Sequence, residues 1–330
     1  MNKEPYPKRR IVIRASTLYQ AIPCDQYSRF YYVDQIEKAI DFSSIAMEYG
    51  TGFHGFSANL LEAREDYSRD SIKRALIKPL SRFVDYITNM DPLLMANADE
   101  WKTPSHLKKT CLKWARHCAK GDDNFVPLTN SEGTLACEKT LFIPYYSDDY
   151  IEVILRITID RLGFFKDVDG KYKPIFQDFK STANTRKDAY MSGYELNTQM
   201  SFYHFCLWWM MDKDLLPPEF EYIKLQIIGI FIRRETEKNP EVCEIRYGDR
   251  LSIRKDKREL FKLGLDMLIQ RISKIVQDGK RFYLPNNCFA NCKQSYGLCT
   301  YFEVCNKMRN AEDMLRKYRK FDPFKQHDEE

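Results

Sequence analysis

The stretch PIFQDFKSTANTRKDAYMSGYELNTQMSFYHF, residues 174–205, indicates the fold class because a strand pattern passes directly into a helix pattern. Aromatic and β-branched residues dominate its first part, where Asp178 and Lys180 lie two positions apart and would share one face of a strand. Its last part carries Gln199 and Tyr203, four positions apart on one face of a predicted helix. An Asp-x-Lys pair alone is more often a solvated pair on an edge strand, so the neighbouring segments must show whether this pair belongs to a functional site.

The segments around this stretch predict a strand-rich core. LACEKTLFIPY and YIEVILRITIDRLGFF come before it, YIKLQIIGIFIRR and CEIRYGDRLSIR come after it, and all four have strand composition. Helical patterns at about residues 190–211 and 255–277 interrupt or follow these strands. The sequence therefore predicts an α/β fold with a mixed central sheet flanked by helices.

The flanks of the core predict further helices and a turn. Residues 16–32, 34–48 and 307–320 have helical patterns, and the glycines of YGTGFHGF, residues 49–56, indicate a turn that contains His54. We expect four regions: N-terminal helices in residues 1–56, a helical insertion in 57–134, the core in 135–285, and a cysteine-rich segment with a C-terminal helix in 286–330.

Composition limits the class of protein. The chain has 330 residues, 44% of them hydrophobic, and a formal net charge of +5. Its apolar runs are far shorter than the roughly 20 residues that span a bilayer, and the N-terminus shows no secretory leader. Ten cysteines without such a leader indicate reduced thiols or a metal site. We expect an intracellular, cytoplasmic protein of a bacterium or of a phage-infected host, without a membrane partner.

Acidic residues on neighbouring strands predict a divalent metal. Asp160 closes the apolar run ITIDRLG just before the strand of Asp178, so the two carboxylates could meet at one cation. Oxygen ligands suit Mg²⁺ or Mn²⁺, and Lys180 could hold a water or stabilise charge on a phosphate. His54 is an acceptable further ligand, although a lone histidine is more often a packing or surface residue.

Five motifs in order carry a resemblance: GTGFH, ACEKTLF, TIDRLG, FQDFKS and QMSFY. Together they resemble the RecB-type branch of the PD-(D/E)xK nuclease superfamily, which includes phage and CRISPR-associated exonucleases. The resemblance implies a restriction-endonuclease-like core. It implies catalytic roles for Lys180, Asp178, Asp160, Glu138, Gln199 and Tyr203, and metal ligation by His54, Asp160, Asp178 and the Phe179 carbonyl. Asp148, Asp149 or Glu152 could take the place of Glu138.

The function that this resemblance implies is a metal-dependent DNA exonuclease in recombination, repair, replication or CRISPR adaptation. Its partner would be DNA, single-stranded or with free ends, together with a recombination, helicase or CRISPR-adaptation protein, and the chain could form a homo-oligomer. Two alternatives stay open: a catalytically inactive DNA-binding or assembly protein with the same fold, and an RNA nuclease.

Cysteines crowd the C-terminal segment at positions 288, 292, 299 and 305, and four thiolates can hold Zn²⁺ or a [4Fe–4S] cluster. Their spacing is looser than that of zinc ribbons. Relatives with a cluster use one early and three late cysteines, which implies Cys24, Cys292, Cys299 and Cys305 here, with Cys288 as a substitute ligand. We expect a [4Fe–4S] cluster, with Zn²⁺ as the alternative.

A basic stripe lies on a predicted helix of the insertion. Lys109, Lys113, Arg116 and Lys120 fall roughly on one side of it and could follow DNA phosphates. An ordinary solvated helix face is the competing interpretation.

Overall fold

The computed structural model describes residues 8–38, 44–63, 66–90, 102–130, 133–194, 197–237, 241–279, 292–294, 297–301, 304–305, 315–316 and 318–324. Within these ranges a mixed sheet carries helices on both faces, so the predicted α/β class is confirmed. No helix in the described ranges is both long and apolar enough to cross a bilayer.

The described strands follow the predicted pattern in the core. They are β1 (Arg9–Arg14), β2 (Ile36–Lys38), β3 (Phe125–Pro127), β4 (Cys137–Ser147), β5 (Ile151–Lys166), β6 (Tyr172–Thr182), β7 (Lys224–Ile232), β8 (Cys243–Tyr247), β9 (Lys293–Gln294), β10 (Gly297–Leu298) and β11 (Tyr318–Lys320). The main sheet has the order β1-β5-β6-β7-β8, with β3 and β4 also paired to β5. Pairing is parallel for β1 with β5 and for β6 with β7, and antiparallel for the other pairs of this sheet.

Helices cover both faces of this sheet. They are α1 (Ala15–Ala21), α2 (Asp25–Ser28), α3 (Ile45–Glu62), α4 (Arg69–Asn89), α5 (Pro104–Ala119), α6 (Lys187–Ser192), α7 (Thr198–Asp212) and α8 (Lys255–Asp278), with a π-helical turn at Arg29–Val33 and a 3₁₀ turn at Pro218–Tyr222. One core joins the sheet to α1, α2, α7 and α8, and a second joins it to α3, α4 and α5.

The sheet opens into a fork between β5 and β6. β1 pairs with β5 from Ile151 to Arg156, and β6 pairs with it only from Arg161 onward, while β4 occupies the other edge. β6 itself continues along β7 as far as Thr182. Before Arg161 on β5 and after Gln177 on β6, therefore, the two strands diverge and leave room for side chains that the ladder would otherwise exclude.

The glycine-rich segment around His54 is helical, so the predicted turn is wrong. It lies inside α3, which begins after Ser44, whose hydroxyl accepts a hydrogen bond from the Met47 amide. A Cβ on Gly52 would lie 2.9 Å from Leu107 on α5, and one on Gly50 would lie 3.1 Å from the Ser181 hydroxyl on β6. These glycines serve close packing against two neighbouring elements, because tertiary contacts outweigh their poor helix propensity.

Two further helix predictions at the flanks are wrong in part. Ile36–Lys38 lies within the predicted helix 34–48 but forms β2, which pairs antiparallel with β11 at Tyr318–Lys320. That pairing also makes the end of the predicted helix 307–320 a strand. The backbone pairing joins the two ends of the chain, and local sequence patterns carry no signal for such a long-range contact.

Candidate active site

The side chains of His54, Glu138 and Asp160 meet near the fork and form a candidate metal centre. His54 Nδ1 lies 3.3 Å from Glu138 Oε1 and 3.4 Å from Asp160 Oδ2. The possible ligand atoms of the three residues all lie within 4.8 Å of one another. Ligands of an octahedral Mg²⁺ are themselves separated by about 3 Å. These three residues could therefore hold a divalent ion.

Three neighbouring elements bring these groups together. His54 projects from α3, while Glu138 and Asp160 lie on the paired strands β4 and β5. Glu138 has a left-handed backbone conformation with φ of 48°, which costs a residue with a side chain about 1 kcal/mol. Such strain is often concentrated at functional positions, where the surrounding fold holds it in place.

Electrostatics at the metal centre favours charged side chains. Burial lowers the pKa of His54, but Asp160 and Glu138 raise it more, so it lies well above its ordinary value. Burial raises the pKa of Asp160, yet His54 and Lys180 outweigh burial and hold it below its usual value. These shifts favour a cationic imidazole between two carboxylates, and a metal ion that bound His54 would displace its proton.

Asp178 and Lys180 lie on β6 beside this centre, on one face as their spacing predicts. Lys180 Nζ is 2.7 Å from Asp178 Oδ2, and Asp178 is buried. Burial raises the pKa of Asp178 to about 6, although Lys180 opposes the shift. Burial lowers the pKa of Lys180, but Asp178 and Asp160 more than compensate and raise it. Lys180 is therefore a cation, suited to donate hydrogen bonds and to oppose negative charge.

The fork also explains how Asp160 is oriented. Its Oδ2 accepts a hydrogen bond of 2.8 Å from the backbone amide of Phe179, in the part of β6 that no longer pairs with β5. The carboxylate thus supplies the acceptor that the Phe179 amide would find on β5 if the two strands were still paired there. The predicted metal ligand at Phe179 is its carbonyl, and that role stays a prediction.

Gln199 and Tyr203 share one face of α7, as predicted. Asn197 caps this helix by accepting a hydrogen bond from the Gln199 amide, and Gln199 Nε2 donates to the Tyr203 hydroxyl at 2.8 Å. Burial raises the pKa of Tyr203, and Asp178 adds to the effect. Tyr203 is therefore a neutral phenol held near the Asp178 and Lys180 pair.

One residue near the site had no signal in the sequence. The ring of Tyr194 lies 5.8 Å from Lys180 Nζ, a distance at which the aromatic face attracts the cation. Tyr194 falls in the connection between α6 and α7, where no periodicity relates it to β6. The position of this ring beside the lysine therefore could not be predicted from the sequence.

The acids that could have taken the place of Glu138 have partners away from His54 or are exposed. Asp148 accepts hydrogen bonds from the amides of Tyr150 and Ile151 and from the Ser273 hydroxyl. Glu152 pairs with Arg10 at 3.0 Å, and Asp149 is exposed. Of these four acids, Glu138 is the one in contact with His54.

The thiols of Cys24, Cys292, Cys299 and Cys305 form a cysteine group that joins the two ends of the chain. Burial raises the pKa of Cys305 to about 12, and Cys24, Cys299 and Cys292 add to the effect. The Cys299 amide donates to the Cys292 carbonyl at 2.7 Å, and all four thiols are free of disulfides. Cys288, the substitute ligand, lies outside the described residues.

The predicted basic stripe lies on α5, and two of its members have acidic neighbours. Lys109 pairs with Glu235 at 2.5 Å, and Lys113 lies 3.3 Å from Glu241. Arg116 and Lys120 are exposed. A role for these four side chains in DNA binding stays a prediction.

No protein-family model matches the sequence, and no curated protein matches it. Among solved structures, the chain is similar to a crystal structure from Eubacterium rectale that was provisionally described as an exonuclease. The identity is 12%, the match covers 89% of this chain and 87% of the other, and the TM-score is 0.43. A similarity this low decides nothing about the activity, which must be argued from the residues of this chain.

Proposed function

We propose that the protein is a metal-dependent deoxyribonuclease that hydrolyses phosphodiester bonds at DNA ends. The supporting observation is the convergence of His54, Glu138 and Asp160 beside the Asp178 and Lys180 pair at the fork. A metal-binding group, a buried acid and a lysine cation are the parts that phosphodiester hydrolysis requires. The resemblance of the five sequence motifs to those of RecB-type nucleases, a branch that includes exonucleases, supports action at DNA ends.

His54, Glu138, Asp160 and Asp178, with the Phe179 carbonyl, would hold Mg²⁺ or Mn²⁺. The donor set fits, because mixed carboxylate and imidazole ligands suit Mn²⁺ and carboxylates suit Mg²⁺. When bound, the ion would lower the pKa of water and neutralise charge on the phosphate. His54 must first lose the proton that the two carboxylates stabilise.

Lys180 would act as a hydrogen-bond donor and a positive charge beside the scissile phosphate. Asp178 and Asp160 raise its pKa and favour the charged ammonium, which would orient a water or oppose the charge of the transition state. Tyr203, itself held by Gln199, would donate to the strand or fix the position of the lysine.

We further propose that the cysteine group holds a [4Fe–4S] cluster with a structural role. Sulfur ligands of a single Zn²⁺ lie about 3.8 Å apart. In the described part of the chain, no three of these thiol sulfurs lie within 4.8 Å of one another. The resemblance to nucleases that use one early and three late cysteine ligands favours a cluster over zinc, and the ligands would tie Cys24 to the C-terminal segment.

The direct test is degradation of end-labelled single-stranded DNA, double-stranded DNA and RNA by anaerobically purified protein with Mg²⁺, Mn²⁺ or EDTA. Lys180→Gln is the test variant. Lys173→Gln is the matched control, because Lys173 lies on the same strand and also pairs with an aspartate, Asp167. We expect metal-dependent shortening of DNA from its ends, loss of it in Lys180→Gln, and normal activity in Lys173→Gln.

The other outcomes identify the rivals. Binding without cleavage under every metal condition would mean an inactive DNA-binding or assembly protein. Cleavage of RNA alone would mean an RNA nuclease. Equal activity of Lys180→Gln and Lys173→Gln would remove Lys180 from the mechanism.

A further inference from the structure

A basic pocket of about 440 Å³ lies between the C-terminal segment and the edge of the sheet at β1. The residues that define it here are Arg14 on β1, Tyr31, Arg156 on β5, and Arg319 and Lys320 on β11. Glu37 and Asp322 also line it. Neither the candidate metal centre nor the cysteine group includes any of these side chains.

Two arginines on neighbouring strands face this pocket without an acidic partner in the described ranges. Arg14 and Arg156 are register partners of the parallel pair β1 and β5, so like charges lie directly across from each other. Arg14 Nε is buried and has no hydrogen-bond acceptor among the described residues. Like charges across a strand pair destabilise a sheet unless something neutralises them.

The acids that line the pocket have other partners. Glu37 pairs with Arg319 at 3.2 Å, and Asp322 accepts a hydrogen bond from the Phe324 amide. Arg156 donates to the Pro323 carbonyl, which orients its guanidinium without neutralising its charge. Burial lowers the pKa of Arg156, and the charge of Arg14 lowers it further. The pocket therefore keeps an excess of positive charge.

A strip of the sheet face connects this pocket to the candidate metal centre. Leu155, Ile157 and Ile159 face the core with α7 and α8, so the intervening Arg156, Thr158 and Asp160 lie on the opposite face of β5. Four residues of a strand span about 13 Å.

The middle of this strip is open to a ligand. Thr158 is exposed, and its hydroxyl lies 3.2 Å from the hydroxyl of Thr140 on β4. Hydroxyl groups are common donors to phosphate and sugar oxygens. An extended strand could thus pass from Asp160 over the threonines to Arg156.

We propose that the basic pocket binds a phosphate group of the nucleic-acid strand whose scissile bond lies at the metal centre. The identity of that strand rests on the proposed function. Arginine forks bind phosphate oxygens in pairs, and two opposed forks would clamp one phosphate and remove their own repulsion. Free nucleotides carry the same phosphate chemistry, so the test must separate the two sources.

The test measures binding in EDTA, where a metal-dependent nuclease cannot cleave. Fluorescence anisotropy with a labelled single-stranded DNA oligonucleotide, over a range of salt concentrations, compares wild type with Arg14→Gln and Arg156→Gln. Arg254→Gln is the control, since Arg254 pairs with Asp256 in the segment that follows β8, at the other end of the sheet order. Competition with dAMP provides the free-nucleotide arm.

We expect each glutamine variant to bind the oligonucleotide about tenfold more weakly, because it loses a charge-assisted contact. Its salt dependence should fall by about 0.7 in log–log slope. Arg156→Lys should keep the slope and lose part of the affinity, because lysine retains the charge without the fork. Arg254→Gln should bind like wild type.

Wild-type affinity and salt slope in both folded glutamine variants would overturn the proposal. So would a loss of dAMP binding with unchanged oligonucleotide binding, since the pocket would then hold free nucleotides. Near-ultraviolet circular dichroism checks folding, and Arg156→Lys keeps the test valid if Arg156→Gln unfolds. Arginine-dependent binding without cleavage in Mg²⁺ or Mn²⁺ would reject the proposed nuclease activity and would still support phosphate binding by the basic pocket.

Discussion

The candidate metal centre and the cysteine group are assembled in different ways. Glu138 and Asp160 lie on paired strands and His54 lies on a helix that packs against the sheet, so strand pairing and helix packing set their geometry. The cysteine group joins Cys24 to residues near the other end of the chain. The proposed cluster would close a long loop and so would restrict the unfolded chain strongly. The first site should therefore govern chemistry, and the second should govern stability.

The helix α7 lies beside the candidate metal centre and also packs against the helix that precedes Cys24. Its Tyr203 faces the Asp178 and Lys180 pair, while α1, which precedes Cys24, packs against the same helix. Variants on α7 can therefore show whether chemistry and stability separate within one element.

The largest effect should come from Asp160→Asn. Asp160 contacts His54 and accepts a hydrogen bond from the Phe179 amide. Its loss therefore removes a metal ligand and the contact that holds β6 against β5 at the fork. Cleavage should fall by more than the roughly 10³-fold that one preorganised electrostatic contact provides. Single-turnover cleavage of labelled DNA measures it, with Asp167→Asn as the control. A large drop in the Tm of Asp160→Asn, alongside its loss of cleavage, would show that the metal centre also governs stability.

Cys299→Ser should act on stability and leave the chemistry intact. We expect loss of protein-bound iron and of visible absorbance. The free energy of unfolding should fall by about 3 kcal/mol, the order that a cross-link closing a loop contributes. For a chain of this size the Tm would then be lower by roughly 5 °C. Cys206→Ala, at a buried cysteine of α7, should retain iron. Iron analysis and thermal unfolding check both. Bound zinc in the wild type, with no iron under anaerobic purification, would contradict the cluster.

His204 on α7 should make stability depend on pH. Burial lowers its pKa from 6.5 to about 4. The unfolded chain therefore binds the proton first, and stability falls as the pH drops from 6.5 towards 4, by up to about 3 kcal/mol. Urea unfolding of wild type and His204→Gln at both ends of this window measures it. Parallel curves for the two proteins would show that His204 contributes nothing.

Tyr203→Phe should give the smallest change, and it should appear in activity. The substitution removes the hydroxyl that accepts from Gln199 and leaves the ring packed on Phe176. Losing one such hydrogen bond costs about 1 kcal/mol, or about fivefold in rate. Cleavage rates and Tm values of Tyr203→Phe and His204→Gln would show whether the first residue affects mainly activity and the second mainly stability.

Local periodicity made part of the site predictable. The spacing of Asp178 and Lys180 on a strand, and of Gln199 and Tyr203 on a helix, fixes a shared face without knowledge of the fold. The choice of Glu138 among several nearby acids needs the register of β4 against β5, which the sequence does not encode locally.

Other features depend on contacts that are distant in sequence. The glycines near His54 have the composition of a turn, yet packing against α5 and β6 keeps them in a helix. Arg14 and Arg156 become neighbours only through the parallel pairing of β1 with β5. Neither pattern could be recognised before the sheet order was known.

Manganese binding is the sharpest test of the proposed metal centre at His54, Glu138 and Asp160. Electron paramagnetic resonance during a Mn²⁺ titration, with cleavage measured on the same samples, would compare wild type with Glu138→Gln and with Glu152→Gln as the control. We expect Glu138→Gln to lose Mn²⁺ affinity and cleavage together, while Glu152→Gln keeps both. Unchanged Mn²⁺ affinity in Glu138→Gln, or wild-type cleavage in EDTA, would contradict this proposal.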